Sequence, residues 1–251
     1  PDHIAEASLE EIHDFYHRHY HPSNAILSVS GDIEEERVFS LAEKWFGGIK
    51  DNPYPIAPLP KEPVQTEARR LEVERDVPAT TIVIAFHMGN RLSKDFYLGD
   101  ITSDLLAGGD SARLYEHLIK GKSLFASVNA YISGDVDEGM FVFTGQLLPT
   151  TSEQEAEAAF WDEIALLQGA QISDYELEKV KNKFEANTLF GELNVMNKAM
   201  NLSYYAMLGD MSLLNGEVAI YNSITPEEIM DFAQKFFRHD QSTTLVIRSK
   251  Q

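Results

Sequence analysis

A proline-rich segment interrupts this chain of 251 residues, with prolines at positions 53, 55, 58, 60 and 63. Proline lacks a backbone N–H and fixes its own φ, so a segment of this composition forms neither a helix nor a central strand. The segment also lacks a periodic apolar pattern, and we therefore predict a stiff, extended linker over residues 51–66. The linker divides the chain into two parts, residues 1–50 and 67–251.

Apolar periodicity on both sides of the linker predicts an α+β fold. Helical spacing predicts helices at 8–20, 34–45, 96–106, 111–120, 152–167, 173–189, 195–208 and from 225 onward. Apolar runs predict strands at 25–30, at 69–88 with a break at 76–78, and at 125–132, 140–147 and 243–248. Because strands and helices come in runs without strict alternation, we expect a mostly antiparallel sheet with helices packed on one face.

One apolar stripe on the later helices is rich in methionine. Methionine fills irregular interiors, so we expect the stripe to belong to the core rather than to a ligand site. Its members are Leu189, Leu193, Met196, Met200, Tyr204 and Met207.

Two segments far apart in the chain share one pattern. Residues 8–29 and 225–247 each read as a capped helix, an aromatic residue at the same offset, a polar turn and an apolar strand. An internal duplication would explain both copies. It would make residues 1–50 the C-terminal part of a first domain that lacks its front half, and residues 67–251 a complete second, homologous domain. Two unrelated helix–strand units are the alternative.

The charge balance excludes several classes of function. The chain has 21 Lys and Arg against 40 Asp and Glu, a formal net charge of −19, and such a surface repels nucleic acid and anionic lipid. No cysteine is present, which removes disulfides, thiolate catalysis and cysteine-ligated metals. No run reaches the roughly eighteen apolar residues of a membrane-spanning helix. None of these properties identifies the compartment, and the periplasm and the cytoplasm both remain open.

One ordered set of motifs spans nearly the whole chain. Its residues are Phe15-Tyr16, Tyr20-His21-Pro22-Ser23-Asn24-Ala25, Gly31-Asp32, Trp45-Phe46-Gly47, Leu105-Leu106-Ala107-Gly108-Gly109, Ser111-Ala112-Arg113-Leu114-Tyr115 and Glu176-Leu177-Glu178-Lys179-Val180-Lys181-Asn182. In type and order these motifs resemble the pitrilysin/insulinase family, the inverzincin zinc peptidases, in particular its bacterial processing-peptidase-like members.

The resemblance implies tandem α+β domains that enclose unfolded peptides and cleave them. Catalysis in the family needs H-x-x-E-H on a helix, where two His bind zinc and the Glu is the general base. This motif does not occur in the chain, and in the family it lies in the first domain. The resemblance thus implies no catalytic residue, no metal ligand and no cofactor in this chain, with zinc held by an upstream domain of the parent.

We therefore expect the C-terminal, non-zinc-binding portion of a zinc metalloendopeptidase, inactive by itself. The expected partners are the upstream zinc-binding domain or a homologous subunit, and a peptide substrate. Whether the chamber closes within one chain or in a dimer stays open. The alternative is a non-catalytic subunit or scaffold that binds a catalytic peptidase chain.

The resemblance also indicates where substrate contacts would lie. Many active members hold the substrate carbonyl with an Arg and a Tyr, and the corresponding positions here are Ile119 and Ala126. We predict that Ser127, Asn129 and Tyr131 supply polar contacts instead. Arg113 is a further candidate for substrate binding, and a buried ion pair is its alternative role.

One histidine pair mimics a zinc motif. His13 and His17 lie one helical turn apart with Asp14 between them, a spacing that suits zinc. No third acidic ligand is indicated, and we interpret the pair as part of a solvated helix face.

Overall fold

The computed structural model describes residues 2–55, 60–134 and 136–250. Nine α-helices form in these ranges: α1 (Asp2–Ala5), α2 (Leu9–His19), α3 (Glu35–Phe46), α4 (Lys94–Ala107), α5 (Glu153–Gly169), α6 (Asp174–Gly191), α7 (Val195–Leu208), α8 (Leu213–Ser223) and α9 (Pro226–Phe236). Two 3₁₀ turns (Pro22–Asn24 and His239–Gln241) and a π-helical segment (Tyr115–Gly121) complete the helical part. No helix of the described ranges combines the length and the apolar character needed to cross a membrane.

Five strands build one mixed sheet: β1 (Arg69–Arg75), β2 (Thr81–Asn90), β3 (Phe125–Ser133), β4 (Glu138–Leu147) and β5 (Ser242–Ser249). Their order is β1-β5-β2-β4-β3, and only β1 and β5 run parallel. The prediction of an α+β fold with a mostly antiparallel sheet is confirmed. So is the break in the strand at 76–78, because β1 ends at Arg75 and β2 begins at Thr81.

The core lies between one face of the sheet and the helices α4, α5 and α9. Alternate residues of β2, from Ile82 to Met88, are buried, as their period of two requires. Phe143 of β4 stacks on Phe160 of α5 with ring centroids 4.3 Å apart. Gly99 of α4 lies against Met88 and Phe232, where a Cβ would come within 3.3 Å of both side chains. The prediction that helices pack on one face is therefore confirmed.

Two helices of eleven residues each begin with a capping box. Ser8 and Glu11 form it at α2, and Thr225 and Glu228 form it at α9. In each box the hydroxyl accepts a hydrogen bond from the third helical N–H, and the glutamate accepts one from the N-cap N–H. A 3₁₀ turn follows each helix at the same offset. Both predicted helix starts are confirmed.

The segments that follow these two helices differ. Residues 242–249 form β5, which pairs with β1 and β2. Residues 25–30 form no strand, so that prediction is wrong. A strand needs a neighbour for its N–H and C=O groups, and the nearby described residues, from 2 to 55, contain no strand to provide one.

Other differences concern the helices. The helix predicted at 111–120 is a π-helical segment that begins at Tyr115, and α8 was not predicted. The methionine stripe is not core: Leu193, Met196 and Met200 are all more than 60% exposed. Met196 and Met200 line an open groove of about 590 Å³, together with Asn24, Ile26, Ser28, Ala199, Ser203, Tyr204 and Met207.

The chain folds into two compact units. Unit 1 contains residues 1–62 and 189–215, and unit 2 contains residues 63–188 and 216–251. The predicted division into a domain tail, a linker and a homologous second domain stays a prediction. The prolines at 53, 55, 60 and 63 lie in residues without helix or strand, whereas Pro58 lies outside the described residues.

Candidate functional site

Three of the four predicted substrate-binding residues share one face of β3. Ser127, Asn129 and Tyr131 alternate with Val128, Ala130 and Ile132, and the first three are exposed. They pair in register with Gln146, Thr144 and Val142 of β4. The alternation of a strand thus directs these polar side chains away from the core.

An irregularity of β3 lies directly before this polar face. The register with β4 shifts between Phe125 and Ser127, so Ala126 is the extra residue of a β-bulge. Just upstream, Ser123 adopts a φ of +53°, in the left-handed region that side chains rarely enter. The chain therefore turns sharply between the π-helical segment and β3.

A cavity of about 250 Å³ lies next to the bulge. It brings together Ile119 and Ala126, the two positions at which the resemblance places an Arg and a Tyr. Four of its eight lining residues have aliphatic side chains, and Asp110, Tyr115 and Ser127 add polar groups. The lining residues are Ala107, Gly109, Asp110, Tyr115, Ile119, Ala126, Ser127 and Val128.

The fourth predicted residue, Arg113, is engaged elsewhere. Its Nε and Nη2 donate hydrogen bonds to the two carboxylate oxygens of Glu176 over 2.9 and 3.1 Å. Arg113 thus forms an ion pair, its alternative role, with the two side chains 18% and 30% exposed, and its part in substrate binding stays a prediction. The Arg113 hydrogen bonds, with a further contribution from Ser173, lower the pKa of Glu176 to about 2.

Two lysines of α6 hold the loop that leads to Arg113. Lys179 Nζ donates to the carbonyl of Ser111 over 3.0 Å, and Lys183 Nζ donates to the carbonyl of Gly108 over 3.0 Å. Gly109 has a φ of +130°, which only glycine adopts without strain. The charged α6 motif thus fixes the loop that forms one wall of the cavity.

We expect Glu176→Gln to lower the free energy of unfolding by roughly 1–2 kcal/mol at pH 7, between the values for exposed and buried ion pairs. Gln keeps one oxygen that can accept from Ser173 in the capping box, and it removes the charge and one of the two oxygens that accept from Arg113. Because the pKa of Glu176 is lowered in the folded state, its charged carboxylate stabilises the protein fully above pH 4.5, its ordinary pKa. This stabilisation is lost as the pH falls towards about 2. Urea titrations at several pH values would measure this, and a pH-independent difference would contradict it.

A buried polar cluster in unit 2 was missed by the sequence reasoning. Arg91, which follows β2, forms an ion pair with Glu217 of α8, and both side chains are buried. Tyr97 of α4 donates its hydroxyl to Glu217 over 3.0 Å and accepts a hydrogen bond from Arg91 over 3.1 Å. No local pattern marks this cluster, because Arg91 and Glu217 are 126 residues apart.

A second pair lies next to this cluster. Tyr221 of α8 donates its hydroxyl to Asp100 of α4 over 2.5 Å. Burial raises the pKa of Asp100; Tyr221 opposes the shift, and the nearby carboxylates of Asp104 and Glu217 add to it. Burial also raises the pKa of Tyr221. The charged form of the buried Asp100 carboxylate therefore lowers the free energy of unfolding.

We expect Asp100→Asn to stabilise the protein at pH 7. Because the pKa of Asp100 is raised in the folded state, the protonated carboxyl contributes favourably to stability below pH 3.8, its ordinary pKa. This contribution is lost as the pH rises through the pKa of the folded state. Asn removes the buried charge and still accepts from Tyr221. Thermal unfolding from pH 3 to 8 would measure the difference, which should shrink on the acidic side. A variant less stable than the wild type at pH 7 would contradict this.

The described residues contain no group of three or more His, Cys, Asp or Glu side chains that could hold a metal ion. His13 and His17 lie on α2 with ring centroids 6.4 Å apart. The backbone carbonyl of Asp14, between them, accepts a hydrogen bond from Arg18 Nε. The donor set for a catalytic zinc, usually three protein ligands, is thus not assembled by this part of the chain.

Comparisons with known proteins agree with the motifs. The chain is 27% identical to the zinc protease PqqE of Helicobacter pylori over 98% of its own length and 56% of the relative. A crystal structure of a Helicobacter pylori protease superposes with a TM-score of 0.91 at 26% identity, covering 98% of this chain and 60% of that one. The peptidase M16 inactive domain of Pseudomonas fluorescens has the same fold, with a TM-score of 0.84 at 17% identity over 99% and 59% of the two chains.

The chain spans little more than half the length of the curated relatives that it matches. The family model described as "Peptidase M16 inactive domain" matches residues 6–184, which is most of the chain. This chain therefore belongs to the M16 family of peptidases, and it corresponds to the inactive domain of that family.

Proposed function

We propose that this chain is the non-zinc-binding portion of a zinc metalloendopeptidase that encloses peptides or unfolded segments. The zinc is held by a domain outside these residues, or by a homologous subunit. There it would activate the water that attacks the peptide bond. The described residues contain no group of three or more side chains that could hold the metal. The role proposed for the chain is to complete the chamber and to contact the peptide.

The observation that carries this proposal is the apolar surface of unit 1. Its helices α1, α2 and α3 contain no buried residue. Phe15 on α2 is 56% exposed, and Trp45 on α3 is 66% exposed. A soluble amphipathic helix normally buries its apolar face, and a large exposed apolar patch marks a protein interface. We propose that the zinc-binding domain or subunit covers this surface.

The peptide contacts are proposed for unit 2. Ser127, Asn129 and Tyr131 present polar groups on one exposed face of β3. The guanidinium of Arg113 is hydrogen-bonded to Glu176. We therefore assign the substrate contacts to the three residues of β3.

The test compares this chain with a longer product of the same gene that includes any upstream zinc-binding domain. We expect about one zinc per molecule and chelator-sensitive cleavage of an unstructured fluorogenic peptide by the longer protein only. Zinc-dependent cleavage by the 251-residue chain alone would overturn the proposal. Absence of zinc and of cleavage from both would favour a non-catalytic subunit.

A further inference from the structure

Two histidines on α2 have ring nitrogens that no other described residue engages. His13 and His17 are both exposed, and their ring contacts are with each other and, for His17, with Tyr16. Neither ring takes part in a hydrogen bond or an ion pair among the described residues. His21 differs, because its Nδ1 lies 3.0 Å from a carboxylate oxygen of Asp51. The imidazoles of His13 and His17 are therefore available to a ligand.

The spacing of the two rings suits a shared metal ion. Residues four apart lie on one face of a helix, and the ring centroids of His13 and His17 are 6.4 Å apart. A metal about 2 Å from one nitrogen of each ring requires centroids about 4.5–6.5 Å apart, depending on the angle at the metal. Rotation of exposed side chains between their preferred torsions covers this range. The pair thus needs no change of the backbone to form a chelate.

The charges around the pair favour a cation. Glu10 precedes His13 by three residues and Asp14 precedes His17 by three, so each carboxylate shares a helix face with a ring. The formal net charge of −19 adds to the attraction. Arg18, the cationic residue of α2, directs its Nε to the backbone carbonyl of Asp14 over 3.2 Å. The surroundings therefore offset the charge of a bound divalent ion.

We propose that His13 and His17 form a two-histidine surface site for a divalent transition-metal ion, with Cu²⁺ bound most tightly. Imidazole suits Cu²⁺, Ni²⁺ and Zn²⁺, and the affinity of a nitrogen site rises along the first-row series to Cu²⁺. Water completes the coordination, because both rings face solvent. Two protein ligands make an exchangeable site, which distinguishes it from a catalytic zinc with its three.

Metal binding stabilises α2 itself. The helix has 11 residues, none of them buried, and a helix of this length is marginal without packing. A metal that joins two successive turns binds the helical form in preference to the unfolded one. His13 and His17 each lie about 160° round the helix from Phe15. The site is therefore on the side away from Phe15, and it does not depend on the proposed function.

The experiment titrates the 251-residue chain with CuCl₂ and follows binding by calorimetry and electron paramagnetic resonance. All samples carry His3→Gln, which removes an imidazole close to the N-terminal amine, a second nitrogen donor. We expect about one Cu²⁺ per chain, saturation below about 100 µM and hyperfine splitting from two imidazole nitrogens. Hydrogen exchange of the α2 amides should slow when Cu²⁺ is bound.

Variants of α2 test the pair. His13→Gln and His17→Gln should each weaken Cu²⁺ binding at least about tenfold, because the chelate then becomes a single ligand. The double substitution His17→Arg/Arg18→His keeps composition and charge but moves one imidazole about 100° round the helix, and it should lose as much as His17→Gln. His19→Gln is the matched control: this ring packs on Phe15, and its loss should leave binding unchanged. Circular dichroism checks that each variant is folded.

Three outcomes would overturn the proposal. The first is no binding up to about 1 mM Cu²⁺. The second is unchanged binding by His17→Arg/Arg18→His, which would show that the helical spacing is not needed. The third is equal weakening by His19→Gln, or binding of several ions that no variant alters, which would assign the copper to scattered surface groups. These readouts use added Cu²⁺ and this chain alone, so failure here is distinguishable from failure of the proposed function.

Discussion

Replacing Phe143 by alanine is expected to lower the free energy of unfolding by about 3–5 kcal/mol, the range for truncation of a buried aromatic side chain. Phe143 is fully buried at the centre of β4. Its ring stacks on Phe160 and meets Phe125 edge-on, with centroids 4.3 and 6.1 Å apart. Truncation would leave a cavity that these rigid rings cannot fill by a small movement.

Urea unfolding followed by Trp161 fluorescence would measure this effect. Trp161 lies 5.5 Å from Phe160, ring centroid to ring centroid, and reports on the same part of the core. A Trp45→Phe background removes the only other tryptophan. Met140→Ala is the matched control: Met140 lies on the same strand and is 45% exposed, so its loss should cost less than about 1 kcal/mol. An equally small loss for Phe143→Ala would contradict the described core.

Replacing Glu217 by leucine is expected to destabilise unit 2 by about 3–5 kcal/mol, because Arg91 then loses its buried carboxylate partner. Burial alone lowers the pKa of Arg91, but Glu217, together with Tyr97, reverses the shift and raises it. The guanidinium therefore remains charged and desolvated in the variant. It also lies 4.3 Å from the ring centroid of Phe96, a contact that does not replace a carboxylate.

A double-mutant cycle separates the pair from its surroundings. Arg91→Met combined with Glu217→Leu removes both charges and should recover much of the lost stability, since apolar replacements of buried ion pairs are often close to neutral. The urea titration described for Phe143 measures all three variants. Strictly additive losses in the double variant would show that the pair is not coupled.

Local chemistry explains which parts of the fold could be predicted. A capping box acts within four residues, so Ser8 and Thr225 mark the starts of α2 and α9 in the sequence itself. The alternation of buried and partly exposed residues along β2 also follows from the local period of a strand. Residues 25–30 have the same apolar character as β5 yet form no strand, because a strand depends on neighbours that lie far away in the chain or outside it.

Long-range contacts explain what could not be predicted. α8 contains no strong periodic pattern; it is held by Glu217 and Tyr221, whose partners Arg91 and Asp100 lie more than 100 residues earlier. The methionine stripe has the pattern of a core helix, but Met196 and Met200 remain exposed. Burial depends on what packs against a face, and periodicity describes only the face.

The candidate site shows the same division. The alternation of Ser127, Asn129 and Tyr131, the absence of charge in β3 and the missing H-x-x-E-H are properties of the sequence alone, as are the motifs that indicate the family. That Ile119 and Ala126 share one cavity, that Arg113 is engaged by Glu176, and that β3 is an edge strand follow only from the tertiary structure. The reason is physical: composition and spacing act within a few residues, whereas a cavity, an ion pair between helices and the order of strands are created when distant segments pack together.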